Sequence, residues 1–575
     1  MGGFYLCRDD ERADTRLASA REQFARHGFG APTELAAVGY RGFHVPYIHG
    51  GPDLLLRRGD DFAAVAGTLV HNGKLGRDAL EGLLDRGGLP FDDWRATGGH
   101  FGAAVAKDGR LGVFTGFFGA FQIFHTPALD VISTSFLATA AASPRLTWDR
   151  QGLYEFAFNV FPTGDDTVFE QVRRLGPGVQ LELGEHPRLH RVSKALLSPA
   201  SVTVDEVAST LRSIVAPYVE AYGDAMQCPL SGGLDSRLVL ALLRDAGVRP
   251  HVYVYGAPGD PDVEIARDIG RGEGFEVEVF QKAKWRRIDT DDYAEQVARN
   301  FEETDALATD GGLFDNGGNA HARHARNAGG QLAVSGGCGE VFRNFFYLPD
   351  RRMRARDVVH AFYARYAPGD VTDAFEPRGF IDRLETKALE ALGRAGERGA
   401  LHRTAIEDLY PRLRCRAFFG RELSLVARHG GYLMPFFEAP VIAQALGIPM
   451  AEKNLGRFES RLLTHIDPRL AAYPSAYGHA FTDPPTRGYR FEEWSSRVRP
   501  IWMRRRSYAL RRLMGPMTDD HGGLLSPIYL GRVLDLHFPH MQRFFRMSNV
   551  RDSGLYRRIA TLEYLGQRLE DRLGD

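Results

Sequence analysis

The residues whose types and spacing could do chemistry together lie in Pro229-Leu230-Ser231-Gly232-Gly233-Leu234-Asp235-Ser236-Arg237. Mostly apolar residues precede this stretch (Ala225, Met226, Cys228), and Leu238, Val239, Leu240, Leu242 and Leu243 follow it. It reads as a short buried strand, a tight Gly-Gly turn and a helix. N–H groups at a helix start have no partner within the helix, and the helix dipole adds partial positive charge there. Such a turn is an anion site suited to phosphate. The glycines let an oxyanion approach the backbone, Ser231 and Ser236 add donors, and Asp235 can hold Mg²⁺ opposite the phosphates. The plainer reading is a βα turn rich in small residues. Two hydroxyls, two glycines and an acid falling together after a strand favour the phosphate site.

The elements around that turn follow two grammars. Residues 1 to about 195 read mostly as β. Phe4-Tyr5-Leu6 starts a strand, and Gly102–Ala106 and Leu111–Thr115 flank the hairpin signal Lys107-Asp108-Gly109-Arg110. Phe121–Phe124 and Val131–Phe136 read as further strands, with helical stretches near Thr15–His27 and Leu75–Leu84. Short strands at close spacing predict a sandwich or layered sheet. From about 205 strands alternate with helices. Val204–Tyr222 is helical and leads into the strand before the motif, and Pro250–Tyr255 is a strand, as is Phe275–Phe280 beyond helix 262–272. Gln331–Val334 is another strand, ending in Ser335-Gly336-Gly337-Cys338-Gly339-Glu340. That alternation predicts a doubly wound parallel sheet with ligands at the carboxyl ends of its strands. Beyond 350 the chain reads as helical, with Pro435–Glu438 and 474–488 as irregular connections.

At 575 residues the chain is too long for one domain, and its 44% hydrophobic and 25% charged residues are globular values. A net charge of −1 gives no bulk attraction to nucleic acid or to an anionic membrane. Cys7, Cys228, Cys338 and Cys415 are far apart and form no CxxC, so neither a disulfide framework nor a zinc site is indicated. No signal segment and no run of membrane-spanning length is legible, so a soluble cytoplasmic protein is expected.

These motifs give the chain a resemblance to the asparagine synthetase superfamily, which also holds β-lactam synthetases and lasso-peptide cyclases. Ser231–Ser236 is similar to that family's pyrophosphate-binding signature, and Ser335–Phe342 resembles its second glycine-rich acidic loop. Met434-Pro435-Phe436-Phe437-Glu438 resembles its Pro-Phe-Leu-Asp segment. Phe161-Pro162-Thr163-Gly164, Thr167–Phe169 and Leu175-Gly176-Pro177-Gly178 resemble its interdomain stretch, and Gly99-His100-Phe101-Gly102 and Ser133-Thr134-Ser135-Phe136 fit its N-terminal part. The resemblance implies an N-terminal Ntn-hydrolase-like α+β sandwich domain over 1–200. It implies an α/β ATP-pyrophosphatase (PP-loop, adenine-nucleotide α-hydrolase-like) domain with a helical C-terminal part over 201–575. In such proteins a carboxylate is adenylated and an amine then displaces AMP. ATP would lie on Leu230, Ser231, Gly232, Gly233, Asp235, Ser236 and Gly336, with its adenine near Tyr255 and Gly256. Mg²⁺ would bridge Asp235 and Glu340 to the phosphates.

The departures narrow the function. A glutamine-using member needs Cys at position 2. This chain starts Met1-Gly2-Gly3-Phe4, and Cys7 would sit deeper in the first strand. Asn72-Gly73 matches an oxyanion pair but is followed by Lys74 where Glu is usual, and Gly50-Gly51-Pro52-Asp53 lacks the Arg that would bind the glutamine carboxylate. A structural, inactive glutaminase-like domain is therefore expected. Glu340 is the only acid of the second loop, and the family's amine-positioning Glu or Tyr falls on Gly337 or Gly336. The family's phosphate-contacting Lys is absent from Ser475–Phe481. The chain has seven lysines and only Lys453 beyond 387, so Lys453, His479, Arg487 or Arg343 would take that part. Asp235, Glu340, Arg343 and Lys453 are the catalytic candidates.

Other clusters have plainer readings. His321 and His324 sit at i, i+3 on a helix with no third metal ligand in view, so they read as a solvated face. Arg504, Arg505, Arg506, Arg511 and Arg512, interleaved with Trp502 and Tyr508, read as an amphipathic surface helix rather than a nucleic-acid grip. Arg351, Arg352, Arg354 and Arg356 read as a solvated run, with contact to an anionic substrate as the alternative. Asp262 and Glu264 are either pocket residues or acids of a helix start. The sequence thus points to an AMP-forming amide synthetase acting on a small-molecule or peptide carboxylate and an amine, without nucleic acid or membrane. A nucleotide-binding scaffold for a biosynthetic partner is the second reading, an ammonia-using asparagine synthetase the third, and a homodimer is admitted.

Overall fold

The computed structural model describes residues 2–86, 89–309, 312–514 and 521–574, with the backbone alone for 283 and 508–514. The strand Gly3–Arg8 shows how the N-terminal part is layered. Successive strand side chains point to opposite faces. Phe4 and Leu6 enter the main core, while Tyr5 and Cys7 lie against Leu17, Ala20 and Phe24 of the helix Ala13–Arg26. Both faces are covered, which is why the strand is apolar throughout rather than alternating.

Its sheet has six antiparallel strands in the order Arg173–Arg174, Phe124–His125, Val131–Ser133, Gly3–Arg8, Tyr40–Val45, Thr33–Ala37. A second six-stranded antiparallel sheet runs Arg188–Arg191, Val179–Leu183, Arg110–Thr115, Phe101–Lys107, Asp61–Gly67, Leu55–Arg58. The expected hairpin closes through Asp108 (φ 49°) and Gly109 (φ 71°), the left-handed pair of a two-residue turn. Helix Gly76–Arg86 buries Ala79, Leu80, Leu83 and Leu84 beside the strands Asp61–Gly67 and Leu55–Arg58. Two expectations shift here. Phe121–Phe124 contributes only its last residue to a strand, and Val131–Phe136 stops at Ser133. The Ser135 side chain accepts from the Ala138 N–H at 3.1 Å and so starts a helix, Phe136–Ala141.

From residue 204 the chain builds a five-stranded parallel sheet. Its order is Val277–Phe280, His251–Tyr255, Met226–Pro229, Leu332–Val334, Tyr432–Leu433. The helix Val204–Tyr222 begins where expected because Thr203 and Glu206 form a reciprocal capping box. The strand before the motif is central, and parallel pairing brings the carboxyl ends of all five strands to one edge. The loops 230–233, 256–260, 335–338 and 434–438 therefore meet there, as open α/β sheets require of a ligand site. Among the described residues beyond 350, helices joined by irregular connections surround the strand Tyr432–Leu433, and no described helix is long and apolar enough to cross a membrane.

One continuous cluster of buried apolar side chains runs from Phe4 to Leu565, so the layered sheets and the parallel sheet share a core. Buried charges cross the same seam. Asp305, wholly buried, accepts from Ser135 Oγ (2.9 Å) and from the N–H groups of Phe136 (2.7 Å) and Leu137 (2.9 Å). Arg428 Nη2 lies 3.1 Å from its carboxylate. Lys387 bridges Glu155 (2.6 Å) and Asp166 (2.8 Å) with almost no exposure.

Breaking a buried, hydrogen-bonded ion pair costs about 3–5 kcal/mol. Asp305→Ala is expected to lower unfolding free energy by about that amount in denaturant titration. Glu438 supplies a pH test. It accepts from Gly99 N–H at 2.9 Å, and burial pushes its carboxyl up to about 7 from an ordinary 4.5. The folded chain then holds a proton that the unfolded chain has released. Its contribution to stability is full below 4.5 and is lost as pH rises through 7. Glu438→Gln keeps the acceptor and cannot ionise. Its stability relative to wild type should rise between pH 4.5 and 8 by on the order of 3 kcal/mol.

Candidate active site

The motif turn is built by close approach. Leu230 N–H donates to Tyr253 O (2.8 Å), carrying the strand pairing into the turn. Ser236 Oγ accepts from Ser231 N–H (2.9 Å) and lies 2.9 Å from Ser231 Oγ. A Cβ at Gly232 would stand 2.9 Å from Ala476 Cβ, Asp262 Oδ1 and Ile265 Cδ1, so only glycine fits. Ala476 N–H donates to Gly232 O (3.0 Å), which fastens the segment after 474 onto the turn. The N-cap of the helix Leu234–Asp245 is Gly233, so no side chain caps its first-turn N–H groups. Gly232 N–H donates to Asp262 Oδ1 (2.8 Å), so Asp262, an acid in the first turn of its helix, also touches this turn. Glu264 instead accepts from Gly259 N–H (3.2 Å) as an acid at the start of its helix.

The second glycine-rich loop folds directly onto Asp235. A Cβ at Gly336 would lie 2.9 Å from the Asp235 carbonyl carbon, and one at Gly339 would collide with Asp235 Oδ1. Arg343 Nη2 grips both Asp235 oxygens (2.7 and 2.5 Å), its Nη1 donates to Tyr477 OH (2.9 Å), and its Nε stands 3.1 Å from Glu459 Oε2. That last contact is close but poorly directed, and Glu459, wholly buried, has no well-formed hydrogen bond on either oxygen. Glu340 Oε2 accepts from Tyr410 OH at 2.6 Å. Burial, then the charge of Asp235, raises the carboxyl of Glu340 and raises that of Glu459 well above its ordinary value. Two carboxylates, of Asp235 and Glu459, thus meet one guanidinium, and Glu340 lies close enough to feel the charge of Asp235. Hard oxygen donors short of positive charge are what Mg²⁺ binds, so these residues fit that ion.

Asp235, Glu340 and Arg343 are therefore brought together. Glu340, Arg343 and Lys453 line one cavity of about 670 Å³. Lys453 is held in its wall by Glu407 (3.3 Å), and burial lowers its pKa. His479 lies 3.1 Å from Tyr477 O, and Arg487 is exposed at the start of a helix. Of the four cations expected near the phosphates, Arg343 is the one on Asp235. Gly256 closes the adjacent strand, with Val263 Cγ2 2.6 Å from where its Cβ would stand. The Tyr255 ring is packed within 6 Å of Tyr253, Phe280 and Trp285.

The cavity also exposes what the sequence reading missed. Glu459 lies on the buried stripe of the helix Arg457–Ile466 with Leu462, Leu463 and Ile466, an i, i+3, i+4, i+7 pattern. An acid on an apolar stripe is the signal that could have found it. Tyr410 opens a π-helical turn, Tyr410–Cys415, which also carries the cavity residue Arg414. Such turns recur at functional sites. Arg504 departs from the expected surface helix: its Nη1 donates to Phe346 O (2.8 Å), and it lines the cavity. The side chains of Tyr508, Arg511 and Arg512 lie outside the described residues. Arg352 and Arg356 are bound to Ala400 O and to Asp382 and Glu385, as a non-catalytic run would be.

No family model and no curated protein matches this chain. Among solved structures it is similar to the glutamine phosphoribosylpyrophosphate amidotransferase from B. subtilis complexed with ADP and GMP. Identity is 14%, over 48% of this chain and 65% of that one, with a TM-score of 0.23. A structure described as the allosteric regulatory enzyme of purine biosynthesis gives the same values. Both are enzymes, and the chain spans just under two-thirds of each.

The charge balance around Arg343 can be checked by stability alone. Arg343→Met strands Glu459 and is expected to cost about 3–5 kcal/mol. Adding Glu459→Met should restore the part of that loss owed to Glu459 in a double-mutant cycle, the part owed to Asp235 remaining. Additive losses would show that the two groups do not interact.

Proposed function

We propose that the chain is an ATP-dependent, AMP-forming ligase that adenylates a carboxylate and passes the acyl group to an amine without hydrolysing glutamine. The observation that carries this is Asp235, at the start of an uncapped helix, joined by Arg343 to the cavity that Arg343 and Glu340 of the second loop line. ATP would lie over Ser231–Ser236, its phosphates on the first-turn N–H groups. Asp235 and Glu340 would hold Mg²⁺ with Glu459 as a third acid, and the ion would neutralise charge on the departing pyrophosphate. A carboxylate oxygen attacks the α-phosphorus, the bond to the bridging oxygen breaks, and pyrophosphate leaves with the electron pair. The amine nitrogen then attacks the acyl carbon, AMP leaves, and the nitrogen gives up a proton. Arg343, the cation on Asp235, takes the charge-neutralising part, Lys453 being held by Glu407.

The cavity supports the acyl half of this reading. Arg365, Arg414, Arg499 and Arg504 line it beside Phe345, Phe346, Tyr347 and Phe362. An anionic carboxylate with an apolar or peptide body suits that lining, and 670 Å³ is ample for one. The N-terminal part supports a reaction without glutamine. A Cβ at Gly2 would collide with Val45 O and stand 2.8 Å from His44 Nε2. Burial pushes the Cys7 thiol up to about 12, leaving it protonated and inert. The division at about residue 200, into an inactive glutaminase-like part and an ATP-pyrophosphatase-like part, belongs to this reading. The amine is ammonia, a second substrate's amine, or one within the same molecule.

A second reading, a nucleotide-binding scaffold for a partner protein, is favoured by one feature: Asp262 holds Gly232 N–H and Arg343 holds Asp235. The chain's own side chains stand where phosphate and metal would. Pyrophosphate release from ATP·Mg²⁺ across a panel of carboxylates separates the two. Release is expected from wild type and should fall by about 100-fold or more in Asp235→Ala. Nucleotide binding without release from any acid would establish the scaffold instead, and equal release by both proteins would remove Asp235 from the chemistry.

A further inference from the structure

Away from the motif turn, three histidines from separate parts of the chain meet. His49 follows the strand Tyr40–Val45, His324 lies on the helix Gly318–Asn327, and His429 follows the helix Arg416–Val426. The backbone holds two of them in register: Ile48 N–H donates to Arg428 O (3.1 Å) and His49 N–H to His429 O (3.0 Å). His49 Nε2 and His324 Nδ1 are 3.0 Å apart, and one ring nitrogen from each of the three lies within 4.8 Å of the others. Glu303, the last residue of the helix Thr290–Glu303, stands behind them. Its carboxylate is 3.1 Å from His429 Nε2 and 3.6 Å from His324 Nε2. His429 Nδ1 is buried without a hydrogen-bond partner.

We propose that His49, His324 and His429 form a three-histidine site for a divalent borderline metal, zinc by preference, with Glu303 as their shared outer partner. Metal-bound histidines characteristically give the other ring N–H to a carboxylate, which fixes tautomer and ring orientation. Glu303 stands in that position toward His324 and His429, leaving Nδ1 of each for the ion. Tetrahedral Zn–N bonds place donor nitrogens about 3.3 Å apart, so small side-chain movements close the site. A mere histidine–histidine hydrogen bond accounts for His49 and His324 but leaves His429 Nδ1 orphaned in the interior, at about 1–3 kcal/mol. Three imidazoles select Zn²⁺, Cu²⁺ or Ni²⁺ over the oxygen-seeking Mg²⁺ of the acid cluster. His49 and His324 are partly exposed, which gives the ion a route in and leaves its fourth position to water. His321, exposed on the same helix, takes no part.

The site ties the 46–50 segment to residues just upstream of the strand Tyr432–Leu433, and its existence does not depend on the proposed reaction. The test uses the untagged full-length chain, stripped by chelator and titrated with Zn²⁺ against a chromophoric competitor. One Zn²⁺ per chain is expected, and a Co²⁺ adduct should show the visible bands of four-coordinate cobalt. The double variant His49→Ala/His324→Ala, at the accessible rim, should keep its circular dichroism yet bind at least about 100-fold more weakly, and Glu303→Gln about 10–100-fold. No stoichiometric Zn²⁺ in the wild type, or unchanged affinity in the double variant, would overturn the site.

Discussion

The structure turns on the sharing of one guanidinium. Asp235 and Glu459 both contact Arg343 with Glu340 close by, and burial, then the charge of Asp235, raises the carboxyls of Glu340 and Glu459. A buried carboxylate without enough counter-charge stays protonated, moves toward water or recruits a cation. Arg343 is the cation in contact with Asp235 and Glu459. Its bidentate hold on Asp235 orders the motif helix against the second loop, and its contact with Tyr477 orders the segment that closes over Gly232. A divalent ion would meet the same need with two charges in less space. On the proposed reading, the geometry that is stabilised from within at rest would also accept metal and phosphate.

That crowding explains the glycines. Gly336 and Gly339 are small because Asp235 occupies the space their side chains would take, and Gly232 because Ala476 and Asp262 do. Glycine-rich loops are often read only as phosphate cradles. Here they also let the second loop pack on Asp235, and Ala476 and Asp262 pack on the motif turn. The parallel sheet makes this feasible by ending its strands on one edge, with the strand before the motif at the centre.

The legible parts of the fold were those set by local chemistry. The Thr203–Glu206 box and the Asp108-Gly109 turn placed elements because each is a short-range preference. The two acids and the arginine of the motif loops were legible for the same reason: glycine spacing pointed at them. Glu459 and Tyr410 were not, since their role arises only when a helix and a π-helical turn from distant sequence are laid against the cavity. The three histidines are the extreme case. His324 was visible, but its partners stand 275 and 105 residues away, and no local pattern links them.

The N-terminal sheets gain a role that does not need a nucleophile. Asp305 reaches across to the start of the helix Phe136–Ala141, Glu438 of the Pro-Phe-Phe segment accepts from Gly99, and Ile48 and His49 pair with 428–429. Glu438 and His429 flank the strand Tyr432–Leu433, whose loop closes the site edge. Each contact pins a segment that leads into that edge, and each is made by a buried polar group whose loss would leave its partner unsatisfied. A site that must hold three acids against their mutual repulsion needs rigid walls. The layered sheets supply them through a shared core and a seam of buried polar contacts.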